Sequence, residues 1–350
     1  MGFQLKRYSE DKNFKPILTP RKGVEWEEKA VFNPSVIYDH GTFRMLYRTY
    51  PKSLYKTTPR GSRPGFNFSN QISYIGYAES KDGINFERKD SPFIYPSEDY
   101  DRYGCEDPRI TKIDDTFYIT YSAIDSPIEN QEADVKVRIA LASTNDFVTI
   151  KKHGIIGPPT TSKASAFFPD KVSGDRIGLL MTISSDSINS HVAVRYYDSL
   201  NQVLSQTDES WAKFLETSQN TAVLKTRWWL HRGPELGASP VKTDRGWLLI
   251  FSNESMSDSW TVGAALLDIN DPNILIARTP SCILQPVTDY ELEGLVPNVT
   301  FPEGAVVVGD MLYVYYGAAD TVIGLATCKL NDLLDYLETF ISKNDIKSLD

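Results

Sequence analysis

The chain has 350 residues, of which 41% are hydrophobic and 24% charged, and its formal net charge is -9. That length and balance describe a folded protein with a large core, not a disordered one. The acidic excess excludes nucleic acid or an anionic membrane surface as the main partner, since either needs a basic footprint.

The first ten residues, MGFQLKRYSE, contain no apolar run of the signal-peptide kind, and no stretch of the chain approaches a membrane span. A cytoplasmic location is therefore expected. The first repeating unit starts at Asn33-Pro34, with an apolar strand, a His40-Gly41 turn and an aromatic strand ending at Tyr47-Arg48. A strand of small and apolar residues follows over 75–80, and residues 80–86 read as an Asp-box turn without chemistry. Further units start near Asp107-Pro108, Phe167, Ser239-Pro240 and Pro297-Asn298, each followed by its own small-residue strand. One internal order of features, recurring roughly every 60 to 75 residues, predicts an all-β chain: a five-bladed β-propeller in a single domain over residues 1–350.

The third unit carries an insertion over residues 198–230 with Trp211, Trp228 and Trp229. It is expected to cap the channel or reach a neighbouring subunit, or else to extend the core of its blade. Over residues 330–341 apolar side chains recur at three and four, which predicts an amphipathic C-terminal helix on the outside of the propeller.

Cys105, Cys282 and Cys328 are far apart and odd in number, as free thiols in a reducing compartment would be. The histidines, at 40, 153, 191 and 231, show no metal-ligand spacing, and there is no glycine-rich nucleotide motif. Neither metal nor cofactor is expected.

Innermost propeller strands converge on the axis, so polar residues where those strands begin belong to a site. Asn33, Asp107 and Ser239 each precede a proline, which favours extended backbone there, and Asn298 occupies the similar place in the fifth unit. Glu106-Asp107-Pro108-Arg109 brings two carboxylates and a guanidinium into four residues. Arg109 can grip a carboxylate or sugar hydroxyls, and crowding among carboxylates can keep one acid protonated near neutral pH, as a general acid requires. The other reading of the same residues is a structural ion pair closing the channel.

At these residues the chain resembles glycoside hydrolase family 130, the β-mannoside phosphorylases and related β-1,2-mannosidases. The matches include Phe32-Asn33-Pro34, Leu46-Tyr47-Arg48, residues 106–109, Lys163, residues 246–250, residues 296–302 and residues 315–320. The resemblance implies a pocket for a terminal mannosyl unit of a β-manno-oligosaccharide, with Asn33, Arg48, Glu106, Arg109, Lys163, Asn298 and Asp320 as sugar-binding residues. It implies Asp107 as proton donor, acting through the sugar's 3-hydroxyl with inversion at the anomeric carbon. A homo-oligomer would also be in keeping with the family.

Two departures bear on the nucleophile. Where the family's phosphorylases carry a phosphate-binding arginine and histidine, this chain has Leu180-Met181-Thr182-Ile183 and Phe251-Ser252-Asn253. Losing two cations should weaken the preference for a phosphate dianion over water. The expectation is an exo-acting, inverting β-mannosidase, with β-1,2 linkages favoured. Inverting hydrolysis needs a second carboxylate ~6.5 to 9.5 Å from the acid, for which Glu235 is the first candidate and Glu254 and Glu209 the next. The alternative is a phosphorylase that holds phosphate with Lys163, Arg63 and a tyrosine. A third possibility is a sugar-binding propeller without catalysis, against which the Asp107 and Arg109 pair stands.

Overall fold

The computed structural model describes residues 2–60, 65–69, 72–126, 137–185, 187–227 and 230–341, with only the backbone of 55–60 and 65–69. Five antiparallel blades account for most of them. The innermost strands are Ala30–Asp39, Gly104–Ile113, Ser165–Phe167, the broken pair Leu230–Leu236 and Val241–Thr243, and Thr300–Val308. The expected five-bladed propeller is thus present. The fourth blade begins at Leu230, ahead of the Ser239-Pro240 that was expected to start it.

Short polar turns set the register within each blade. His40 and Gly41 both have positive φ, 46° and 74°, between strands paired through Asp39 and Thr42. That is the two-residue turn whose twist matches a hairpin. In the first and fifth blades the third strand carries a glycine beneath an aromatic ring of the second. A Cβ on Gly76 would lie 2.4 Å from Tyr47, and one on Gly324 2.3 Å from Tyr316, so the packing admits no side chain there. The turn at Asp82 forms as expected, its carboxylate accepting from the Ile84 and Asn85 amides.

The ring is closed by the N-terminus. Lys6–Arg7 adds the outer strand of the fifth blade by pairing with Val322–Lys329, a contribution too short for the sequence pattern to reveal. Three blades share a staple at the approach to the inner strand. Glu27, Asp101 and Glu291, all fully buried, accept the hydroxyls of Tyr47, Tyr121 and Tyr316 at 2.9, 3.0 and 2.8 Å. Each is also paired with a cation: Glu27 with Arg21 and Arg88, Asp101 with Lys152, and Glu291 with Arg7. Such pairing is what permits a carboxylate to be buried at all.

Of the forms expected for the insertion, Trp211 takes the last, as part of a blade core. The insertion forms two helices, Leu200–Leu204 and Asp208–Ser218, capped by Ser199 and Thr207. Trp211 is 1% exposed and packs with Ile139, Leu141 and Val203 in the body of the molecule, under the Arg195 guanidinium. Trp211 therefore extends a blade core and does not line the channel. Trp228 and Trp229 lie outside the described residues. The C-terminal helix spans Leu330–Glu338, shorter than the expected 330–341, and buries Leu333, Leu334 and Leu337 against the fourth and fifth blades. Among the described residues no helix is long and apolar enough to cross a membrane.

Candidate active site

Four inner strands break register: in Leu230–Leu236 the shifts flank Arg232, and three others bulge where they reach the axis. Register shifts fall between Phe32 and Pro34, between Glu106 and Arg109, and between Pro302 and Gly304. Asn33 and Asp107 have φ of 48° and 51°, so the extended backbone expected before proline is absent. The bulge is the reason: its extra residue takes left-handed geometry, which Asn and Asp tolerate better than most side chains. Non-glycine residues held there cost about 1–3 kcal/mol and persist only where their surroundings fix them.

Those surroundings are a dense polar cluster. Asn33 Nδ2 donates to Asp107 Oδ1 at 2.9 Å, and Arg48 Nη1 donates to the same oxygen at 3.0 Å. Arg48 Nη2 lies 2.6 Å from Glu106 Oε1, which also accepts from Ser73 at 2.9 Å. The guanidinium carbon lies 4.8 Å from the ring centres of both Phe32 and Tyr50, two rings that pack on each other 5.5 Å apart on one side of it. These cation–π contacts support its fork where it faces both carboxylates.

The cavity above the cluster, of about 160 Å³, is lined by Asn33, Arg48, Asp107, Lys163, Glu235 and Asp320 on its polar side. Trp260, Val296, Val299 and Phe301 form an apolar wall, with Trp260 edge-on to Phe301 at 5.6 Å. A wall of this kind facing carboxylates suits a sugar, whose ring has an apolar face and a hydroxylated rim. The apolar wall was missed in the sequence, where Trp260 stands apart from any motif.

Proton affinities diverge across the cluster. Burial pushes Asp320 up to about 7, with Asp107 and Glu106 adding to it and Arg48 opposing. Burial likewise raises Glu106, against the pull of Arg48. Asp107 is also raised by burial, but Arg48, Arg109 and the Asn33 hydrogen bond together hold it below the ordinary aspartate range. Burial more than crowding thus keeps a proton on Asp320 near neutral pH, while Asp107 is held towards its ionised form. Lys163 draws Glu106 and Asp320 downward, which places its positive charge near both.

Not every expected residue lines the cavity. Arg109 is 1% exposed and turned beneath the site, bonded to main-chain carbonyls and Glu303. Asn298, with φ 63°, presents its carbonyl to the Trp260 amide, and its neighbours Val296 and Val299 do the lining. Ser239 is tied to the Ile110 carbonyl. Among the candidate bases, Glu235 is 6% exposed and lines the cavity. Glu254 is instead held by Arg232 at 3.1 Å, and Glu209 is on the outside, 81% exposed beside Lys213. Thr182, in the place of the family's phosphate-binding arginine, is buried and accepts from the Leu236 amide. Arg63 lies outside the described residues.

For a metal, His231, Glu254 and Asp258 bring ligand-type atoms within 4.8 Å of one another, but Arg232 already holds Glu254 and none of the three lines the cavity.

Comparison with known proteins agrees with this geometry. A family model for glycoside hydrolase family 130, described as beta-1,4-mannooligosaccharide phosphorylase, matches residues 10–339. A 1,2-beta-oligomannan phosphorylase of Thermoanaerobacter sp. (strain X514) is 35% identical over 94% of this chain and 99% of its own length. A beta-1,2-mannobiose phosphorylase of the same strain is 36% identical over 93% of this chain and 97% of its own. In the solved structures, the beta-1,2-mannobiose phosphorylase of Listeria innocua, in complex with beta-1,2-mannobiose, superposes with a TM-score of 0.74 at 27% identity, covering 96% of this chain and 99% of that one.

Proposed function

Because the chain belongs to glycoside hydrolase family 130, we propose that it is an inorganic-phosphate-dependent phosphorylase of β-1,2-linked mannosides. The observation that carries this reading is 35–36% identity, over nearly the whole of both chains, to two phosphorylases of β-1,2-mannosides. Hydrolysis, the first expectation, becomes the second reading. The loss of an arginine and a histidine at two places counts only if phosphate is held from those places. Lys163 supplies a positive charge in the cavity from the segment just ahead of the third blade's inner strand, Ser165–Phe167.

In the proposed reaction a phosphate oxygen attacks the anomeric carbon of the terminal mannosyl unit from the face opposite the leaving sugar. The glycosidic carbon–oxygen bond breaks, and the departing oxygen takes a proton relayed through the 3-hydroxyl from Asp107, which must take that proton up as sugar and phosphate enter, because Arg48 and Arg109 hold it ionised beforehand. The products are α-mannose 1-phosphate and a shortened mannoside. Arg48 and Asn33 orient Asp107, the Trp260 and Phe301 wall receives the apolar face of the sugar, and Asp320 retains a proton in the same pocket near neutral pH.

The second reading rests on Glu235, a buried carboxylate lining the same cavity as Asp107, which is what water activation would need. Incubating β-1,2-mannobiose with and without phosphate separates the two. Phosphate-dependent release of α-mannose 1-phosphate is expected; free mannose alone, at a rate indifferent to phosphate, would overturn the proposal in favour of hydrolysis.

A further inference from the structure

Arg109 distributes its guanidinium over four acceptors from three blades. Nη1 donates to the Asp107 carbonyl of its own blade at 2.9 Å. Nε and Nη2 donate to the carbonyls of Gly237 and Leu236, at 2.8 and 3.0 Å, in the blade that carries Glu235. Nη2 also meets Glu303 Oε1 of the fifth blade at 3.2 Å. Glu303 is fully buried, and among the described residues its Oε2 has no hydrogen-bond partner. An orphaned buried carboxyl oxygen carries a desolvation cost that an apolar side chain at 303 would avoid.

We propose that Arg109 and Glu303 form a positioning pair, which fixes the main chains beneath Asp107 and Glu235 at a set separation across the channel. The pair serves the phosphorolysis proposed above and rests on that reading for the reaction it assists. With Glu303 present, both edges of the guanidinium are anchored, so the plane that holds the Asp107, Leu236 and Gly237 carbonyls together has no freedom to tilt. Without it the three carbonyl bonds remain, but Nη2 loses its ionic partner and the fifth blade no longer holds the fork. Burial also pushes the Glu303 carboxyl well above the usual range, against the pull of Arg109. Arg109 in turn makes Asp107 more acidic.

The test compares Glu303→Gln, which keeps the acceptor, with Glu303→Leu, which fills the space without one. Crystal structures of both should show the Asp107 and Glu235 side chains undisturbed in the Gln protein and displaced in the Leu protein. Steady-state kinetics on β-1,2-mannobiose and phosphate should show kcat of the Leu protein falling by on the order of 10²-fold at little-changed KM, with the Gln protein restoring most of it. A folded Leu protein with unmoved side chains and wild-type kcat would overturn the pair, as would a Gln protein as impaired as the Leu protein. Should the Leu protein fail to fold, Arg109→Lys, which keeps the charge but cannot reach four acceptors, is read by the same two measurements. A wild type that leaves mannobiose and phosphate unchanged sinks the functional reading alone, because the crystal structures still decide the pair.

Discussion

Arg48 lies between Asp107 and Glu106, donating to Asp107 at 3.0 Å and meeting Glu106 at 2.6 Å, so that one guanidinium neutralises two adjacent carboxylates at the floor of the cavity. Replacing Arg48 by Gln leaves a shorter, neutral donor and removes the charge that holds Asp107 acidic. Turnover should fall by about 10²-fold or more, as it does when one preorganised electrostatic partner is lost. The fold should weaken by about 3–5 kcal/mol, because the carboxylates stay buried without their counter-charge. Thermal denaturation and kcat/KM on one protein preparation measure both. Unchanged stability would mean that the carboxylates are neutralised by another group.

Asp320 titrates near pH 7 in the folded chain, against an ordinary aspartate value near 3.8. Below the lower value both folded and unfolded chains hold the proton, and its stabilising effect is complete. As pH rises towards 7 the unfolded chain ionises first and that stability is lost, fully so above 7. Asp320→Asn cannot ionise, so its Tm relative to wild type should be higher at pH 8 than at pH 4.5. In the wild type kcat/KM should decline above pH 7, since this parameter reports ionisations of the free enzyme. That limb should be missing from the variant, whatever its absolute rate. A variant that keeps the limb would assign it to another group.

Glu235→Gln distinguishes the role of the second carboxylate. A general base that activates water contributes about 10²–10⁴-fold, whereas a phosphate nucleophile arrives already ionised and needs none. Phosphorolysis by the variant should therefore fall by less than about tenfold, and any phosphate-independent release of mannose should disappear. A loss of several hundredfold under saturating phosphate would return Glu235 to the centre of the mechanism.

The repeat was legible because each blade states the same local physics: a polar residue, an apolar strand, a two-residue turn, an aromatic strand and a small-residue strand. The floor of the site was legible too: Asn33 and Asp107 open inner strands at equivalent points of that repeat, and the family resemblance marked Arg48 and Asp320. What escaped the reading depends on direction, which a sequence does not carry. Arg109 points down between blades and not up into the cavity because Gly237, Leu236 and Glu303 offer acceptors below it. The left-handed geometry of Asn33 and Asp107 comes from bulges that need a partner strand to exist. Glu303 did leave a signal, a lone charge in the apolar inner strand Thr300–Val308, and so did the helix Asp208–Ser218, where Trp211, Phe214 and Leu215 follow the Thr207 cap.

Trp260 gives the cavity its apolar wall together with Phe301. Aromatic packing is worth about 0.5–1.5 kcal/mol beyond the area it buries, and a sugar stacked there is bound alike in the ground and transition states. Trp260→Ala should accordingly raise KM for β-1,2-mannobiose by roughly three- to tenfold and spare kcat. A kcat that drops with unchanged KM would place the ring against the reacting atoms and not against the bound sugar.

Gly317 faces Asn33 so closely that a Cβ there would lie 2.3 Å from Asn33 Oδ1 and 2.9 Å from its main-chain nitrogen. The nitrogen is fixed in the bulge, so the side-chain amide is what must give way. Moving it breaks the 2.9 Å bond from Asn33 Nδ2 to Asp107. Gly317→Ala should therefore lower stability by about 1–3 kcal/mol, the cost of overpacking, and lower kcat/KM although residue 317 lines no part of the cavity. If the loss of activity runs through Asn33, then Asn33→Ala and the double variant should be almost equally impaired, because residues acting through one contact are not additive. A double variant whose loss is the product of the two single losses would show that Gly317 acts by another route.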